Sequence, residues 1–168
     1  MIATLLLTLF VCCMIIAMIS DILTQKISNH LSLALLAGFA ISVPLIGMSW
    51  QLLGITMLIG IVVFAIGFLM FLLGGMGAGD VKMMFSSVLW VGPVAVGPYI
   101  NALAISSVVL IALVFAARKL TPLSLAERVP FFHAWLVNPM GGVPYGVPLG
   151  IAGLYAIAST QLFKMAVL

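Results

Sequence analysis

Charge is what this sequence most lacks. Its 168 residues include six Lys or Arg and three Asp or Glu, 5% in all, against 65% hydrophobic residues. A water-soluble domain carries about 25% charged residues, so a soluble, disordered or fibrous chain is excluded. The hydrophobic runs are continuous rather than alternating, which excludes an outer-membrane barrel. With a net charge of +3, no basic run and no interleaving of bases with aromatics, nucleic-acid binding has no footing. Cysteine is scarce too. Cys12 and Cys13 are adjacent within an apolar run. Neighbours on a helix point apart and no CxxC or nearby histidine accompanies them, so neither a bridge nor a zinc site is expected, and both read as buried apolar residues. The residue before Cys12 is Val11, not the small residue that lipidation requires. No P-loop, dinucleotide fingerprint or Ser-His-Asp set is present, and no cofactor or metal is expected.

What remains is a helical membrane protein: all-α, polytopic, one domain over residues 1–168. A spanning helix needs about 20 predominantly apolar residues. The opening segment has no basic stretch and no small-x-small cleavage site, so it reads as an uncleaved span rather than a signal peptide. Cutting the uncharged stretches at their breakers gives spans at 1–20, 31–47, 52–73, 81–97, 99–117 and 147–167. The break between the fourth and fifth falls at Gly92-Pro93 and Gly97-Pro98. Six spans leave Lys26, Lys82, Arg118, Lys119 and Arg128 on one side and Lys164 on the other. By the positive-inside rule the richer side is cytoplasmic and both termini are outside. The longest connection, Arg118 to Pro144, holds Ser124-Leu125-Ala126-Glu127, a capping-box pattern that predicts a short helix, followed by the interfacial aromatics Phe131, Phe132 and Trp135.

All three acids, Asp21, Asp80 and Glu127, fall on that cytoplasmic side. Acids at the edge of a bilayer are functional candidates by default. Asp80 follows Gly74-Gly75-Met76-Gly77-Ala78-Gly79 and opens a helix, where aspartate is a favoured N-cap. Asp21 lies near the carboxyl end of its helix, where the macrodipole disfavours an anion and no capping role is on offer. The bland reading is an interfacial charge paired with Lys26. Taken together, two carboxylates at one depth on different helices suit a cleft in which they share a proton. One activates water and the other donates a proton, the arrangement of an aspartic protease. The glycines beside Asp80 allow another backbone to approach, or simply make a flexible turn.

Gly77-Ala78-Gly79-Asp80-Val81-Lys82 resembles the GxGD segment of the type IV prepilin peptidase family of membrane aspartic peptidases. Asp21-Ile22-Leu23-Thr24-Gln25-Lys26-Ile27-Ser28-Asn29 is similar to that family's first catalytic segment, with Ser28 where the family has proline. Pro144-Tyr145-Gly146 is similar to its Pro-aromatic-Gly segment entering the last span. The resemblance implies that Asp21 and Asp80 are the catalytic pair. It also implies that Gly77, Gly79, Lys82, Lys26, Asn29, Pro144, Tyr145 and Gly146 support the loops or bind substrate. The implied reaction removes a short basic leader from prepilin-like proteins at the cytoplasmic face of the inner membrane, for pilus assembly or secretion. With no cysteine-bearing cytoplasmic insert, the chain is most like the short branch that serves Flp/Tad-type pili, and methylation of the new amino terminus is not expected.

Other features read more plainly. Lys82 is two residues beyond Asp80, an offset that turns it to another face, so it reads first as an interfacial anchor. His30 and His133 read as interfacial polar residues rather than ligands, and the eleven methionines as adaptable packing. Gly38, Gly54, Gly60 and Gly67 suit close helix contacts. The rival readings are a six-span proton- or cation-coupled transporter, with glycine-broken helices, and a non-catalytic subunit of a secretion machine.

Overall fold

The structure, a computed structural model, describes residues 1–120 and 143–167. All regular structure there is helical: α1 (Ile2–Thr24), α2 (Asn29–Leu45), α3 (Trp50–Leu72), α4 (Ala78–Leu120), α5 (Gly146–Ile157) and α6 (Gln161–Val167). By length and composition, α1, α3 and α4 can each cross a membrane, and α5 with α6 makes a fourth candidate bent by 67°. At 1.5 Å per residue, a 23-residue helix such as α1 or α3 is about 34 Å long, enough for a hydrocarbon core of about 30 Å. The exterior is apolar: Leu58, Ile61, Ile66 and Leu69 of α3 and Ile105, Val108, Leu113 and Phe115 of α4 are all exposed. Such a continuous apolar outside suits lipid as its solvent.

Helix starts follow the local chemistry. Ser28 caps α2, its hydroxyl accepting the N–H of His30 at 3.3 Å, and Ser49 caps α3 by accepting from Leu52 at 3.2 Å. The serine standing in for a family proline is therefore the residue that starts α2. α1 runs four residues past the expected end at residue 20 and closes on Gln25 in the left-handed conformation, φ 52°.

The expected division of residues 81–117 needs correction. The backbone leaves helical geometry at Gly92 (φ 63°, ψ −174°), whereas Pro98 lies inside the continuing helix. Pro93 falls in the first turn after the break, where its missing N–H costs nothing. The hydroxyls of Ser87 and Tyr99 hydrogen-bond at 2.8 Å. Twelve residues of unbroken helix would separate them by about 18 Å, so α4 bends back on itself at Gly92. The last segment, read as one span over 147–167, is two helices joined at a sharp bend.

The core gathers Phe10 and Met14 of α1, Leu35 of α2, Met83, Trp90 and Tyr99 of α4 and Leu149 of α5. Trp90 Nε1 donates to the Leu35 carbonyl at 2.8 Å, and its ring lies 5.3 Å from that of Phe10. Gly38 meets Leu9 and Trp90, Gly60 meets Phe85 and Leu89, and Gly67 meets Met84 and Val81, as expected of close contacts. Gly54 is the exception: among the described residues nothing lies within 4 Å of where its Cβ would be. Gly150 and Gly153, not anticipated, seat Met18 and Met14. Cys13 is buried but Cys12 is exposed, against the reading of both as buried. The adjacent pair straddles the boundary between the core face and the outer face of α1.

The two ends of the bundle differ. One gathers the end of α1, the start of α2, the α3–α4 connection and the start of α5. The other gathers Ile46, Met48, Gly92 and Ser159–Leu162 around a cavity of about 310 Å³.

Candidate active site

Asp21 and Asp80 meet at the first of these ends. Asp21 lies in the last turn of α1 and is 5% exposed. Asp80 is the third residue of α4 and is 9% exposed. Both line one cavity of about 530 Å³, whose wall includes Gln25, the Gly74–Gly77 segment, Val143 and Tyr145. A second opening between them is edged by Lys26, Ile27 and Gly79. The charge of Asp21 acts on Asp80, so the two carboxylates are electrostatic neighbours.

Each carboxylate is oriented by a backbone N–H. Asp21 Oδ2 accepts from Gly146 at 2.6 Å. Gly146 is the first residue of α5, so Asp21 caps a helix after all, one that begins 125 positions later. Asp21 has no capping role on its own helix, but it takes one on another. The positive end of α5 offsets what the carboxyl end of α1 disfavours. Asp80 Oδ2 accepts from Gly77 at 3.1 Å. It is therefore not the N-cap itself but the third helical residue reaching back, the acidic half of a capping box.

The glycines fit closely. A Cβ on Gly146 would lie 2.7 Å from Asp21 Cβ, and one on Gly77 would lie 2.9 Å from Asp80 Oδ2. A Cβ on Gly79 would come within 3.3 Å of the Ile27 carbonyl, so this glycine lets α4 start against the α1–α2 connection. Gly74, with φ 75°, turns the chain out of α3. Pro144 is buried and accepts from Val147 through its carbonyl, while Tyr145 accepts from Leu149, which starts α5 in register with Asp21.

The other expected residues divide. Lys26 is exposed at the rim. Lys82 and Asn29 do not line the aspartate cavity; Lys82 Nζ donates to Asn29 Oδ1 at 3.0 Å, and the two edge a separate crevice. Gln25, Met76 and Val143 line the main cavity without having been singled out from sequence. Gln25 carried a signal only in its place within the Asp21 segment. His30 is exposed. His133, Glu127, Arg128, the predicted helix at Ser124–Glu127 and the aromatics that follow lie outside the described residues. Among the described residues no cluster of three His, Cys, Asp or Glu is arranged to hold a metal ion.

Two buried carboxylates facing one open cavity, each held by a backbone donor, form an arrangement able to polarise a water molecule and a carbonyl together. Residues 8–117 match the sequence model of the type IV leader peptidase family. That stretch contains both aspartates and the first five of the six expected spans from residue 8 onward. The chain matches no curated protein and no solved structure.

Proposed function

The chain belongs to the type IV leader peptidase family, and on that premise we propose that it is a membrane aspartic endopeptidase whose catalytic residues are Asp21 and Asp80. The observation that carries the proposal is the shared cavity: two aspartates from distant parts of the sequence, both buried, line it together. One proton is shared between them. The ionised carboxylate takes a proton from water as its oxygen attacks the scissile carbonyl. The protonated one donates to the carbonyl oxygen, giving a gem-diol. As its C–N bond breaks, the carboxyl that took the water proton passes it to the leaving nitrogen, and the other carboxylate recovers its proton from a gem-diol hydroxyl.

The substrate we propose is a prepilin-like protein with a short basic leader before a hydrophobic helix. The wall at Gly74–Gly77 is free of large side chains apart from Met76, which suits an extended peptide. The bundle end holding Lys26, Lys82 and the aspartates is the cytoplasmic side on this reading. The fold-back at Gly92 supports counting α4 as two spans, which with α2 and the bent pair brings the total to six and leaves both termini outside. The work of such an enzyme is pilus assembly or related secretion. The transporter alternative gains no support from acids gathered at one end of the bundle.

The test is cleavage of a co-expressed prepilin by wild type, Asp21→Asn and Asp80→Asn, with membrane insertion measured alongside. Cleavage by wild type alone bears the proposal out. Undiminished cleavage by both inserted variants overturns it.

A further inference from the structure

The crevice at Lys82 is independent of the aspartate cavity. It holds about 300 Å³, between Ser32, Leu33 and Leu36 of α2, Phe64 of α3 and Phe85 of α4. Lys82 reaches from α4 to Asn29, the first residue of α2, and the pair stands at its edge. Asn29 accepts through its oxygen, so its amide nitrogen is a second donor at the same rim. Among the described residues no acid lines the crevice. Below the rim the walls are hydrocarbon. Phe64 and Phe85 meet edge to face, centroids 5.6 Å apart, which fixes one wall. Leu33 is 60% and Phe64 39% exposed, so the crevice opens sideways onto the apolar exterior rather than into the bundle.

A cation and an amide donor at the membrane edge, above an apolar slot that opens toward lipid, complement one kind of molecule: an anionic head on a hydrocarbon chain. We propose that this crevice is a binding site for an anionic phospholipid. The phosphate lies at Lys82 Nζ and the Asn29 amide, and one acyl chain runs between Leu33, Leu36, Phe64 and Phe85. The site needs no peptidase activity, so it stands or falls apart from the proposed function. Lys82 thereby gains a role that its place beside Asp80 does not suggest.

The experiment is a titration of the purified, delipidated full chain with phosphatidylglycerol and with phosphatidylcholine of the same acyl chains, bound lipid being counted by native mass spectrometry. Wild type should prefer phosphatidylglycerol. Lys82→Gln should lose about fivefold in phosphatidylglycerol affinity, the usual worth of one lysine at an anionic headgroup. Lys82→Arg should keep the preference. Leu33→Trp, which fills the slot from an exposed position, should weaken both lipids. Lys119→Gln, a basic residue in the last turn of α4, should change nothing. Equal affinity of Lys82→Gln and wild type overturns the site, as does an equal loss in Lys119→Gln. Displacement of phosphatidylglycerol by an equal concentration of glycerol phosphate, which has no chains, also overturns it.

Discussion

The carboxylate of Asp21 accepts the backbone N–H of Gly146 at 2.6 Å, tying the end of α1 to the start of α5. The contact closes the bundle end around the cavity and commits one oxygen of Asp21 to a fixed donor. It also accounts for the glycine, since a Cβ at residue 146 would press on the Asp21 side chain at three atoms, all within 3.1 Å. A buried charge-assisted hydrogen bond of this kind holds a carboxylate more firmly than an aqueous contact does.

Gly146→Ala is accordingly expected to act through Asp21. Overpacking of this kind costs about 1–3 kcal/mol. Displacing the carboxylate by a fraction of an ångström should lower cleavage by at least about tenfold, because positioning errors near 1 Å cost on the order of a hundredfold. Prepilin cleavage and thermal unfolding of the same purified variant check both parts. Wild-type cleavage rates in Gly146→Ala would show that Asp21 need not be held where it is.

Asp21→Asn and Asp80→Asn separate chemistry from structure. An amide oxygen can still accept from Gly146 or Gly77, so each variant should unfold within about 1 kcal/mol of wild type, the worth of one hydrogen bond. Cleavage should fall by about 10²–10⁴-fold, the contribution of general acid–base groups. Loss of folding in step with activity would instead point to a structural role.

Substitutions at glycine should rank by environment rather than by helix propensity. Gly92 combines φ 63° with ψ −174°, a region essentially confined to glycine, so Gly92→Ala should cost about 1–3 kcal/mol, although its Cβ would have room. Gly60→Ala would meet Leu89 at 2.7 Å and Phe85 at 3.1 Å and should also destabilise. Gly54→Ala, inside α3, meets nothing within 4 Å among the described residues and should be neutral or stabilise by up to about 1 kcal/mol. Thermal unfolding of the three in one detergent gives the order directly.

The same glycines show where the sequence was legible. In a chain with three acids, Asp21 and Asp80 stand out, and the motif around each marks its loop. Gly77 and Gly146 are marked by the same motifs, but that they hold the carboxylates is not, because Asp21 meets Gly146 only through the topology of the whole bundle. Gly92-Pro93 and Gly97-Pro98 are equivalent breakers on paper, yet only Gly92 takes a positive φ. Gly54 and Gly60 look alike because a helix in lipid is apolar on every face, so periodicity no longer separates the side that packs from the side that does not. Cys12 and Cys13 look equally suited to burial for the same reason, yet only Cys13 is buried. The offset that turns Lys82 away from Asp80 is legible in the sequence, whereas its partner Asn29 lies on another helix and is not.

Gln25 offers a test of the α1 terminus that leaves the aspartates untouched. It is the sole non-glycine residue with positive φ among the described residues, at 52°, and its N–H closes the helix by donating to the Asp21 carbonyl at 2.9 Å. Glycine adopts this conformation without the steric cost that a Cβ imposes. Gln25→Gly relieves about 1–2 kcal/mol of left-handed strain, gives back about 0.4–1 kcal/mol in unfolded-chain freedom and forfeits the side chain's own interaction, so thermal unfolding should place it within about 1 kcal/mol of wild type.

Orientation is the prediction that joins the charge pattern to the fold. Lys26 lies at the aspartate end, and Gln51, in the first turn of α3, at the other; both are exposed. In a background with Cys12 and Cys13 replaced by serine and alanine, Lys26→Cys and Gln51→Cys should label from opposite sides with a membrane-impermeant thiol reagent. On the six-span reading, Gln51→Cys reacts in intact cells, and Lys26→Cys reacts only after the cytoplasmic face is opened. Replacing one lysine removes only part of the basic bias on that side, because Lys82, Arg118, Lys119 and Arg128 remain to hold the orientation. Reaction of Lys26→Cys in intact cells would put the aspartates on the outside, where a leader still attached to cytoplasmic prepilin could not reach them.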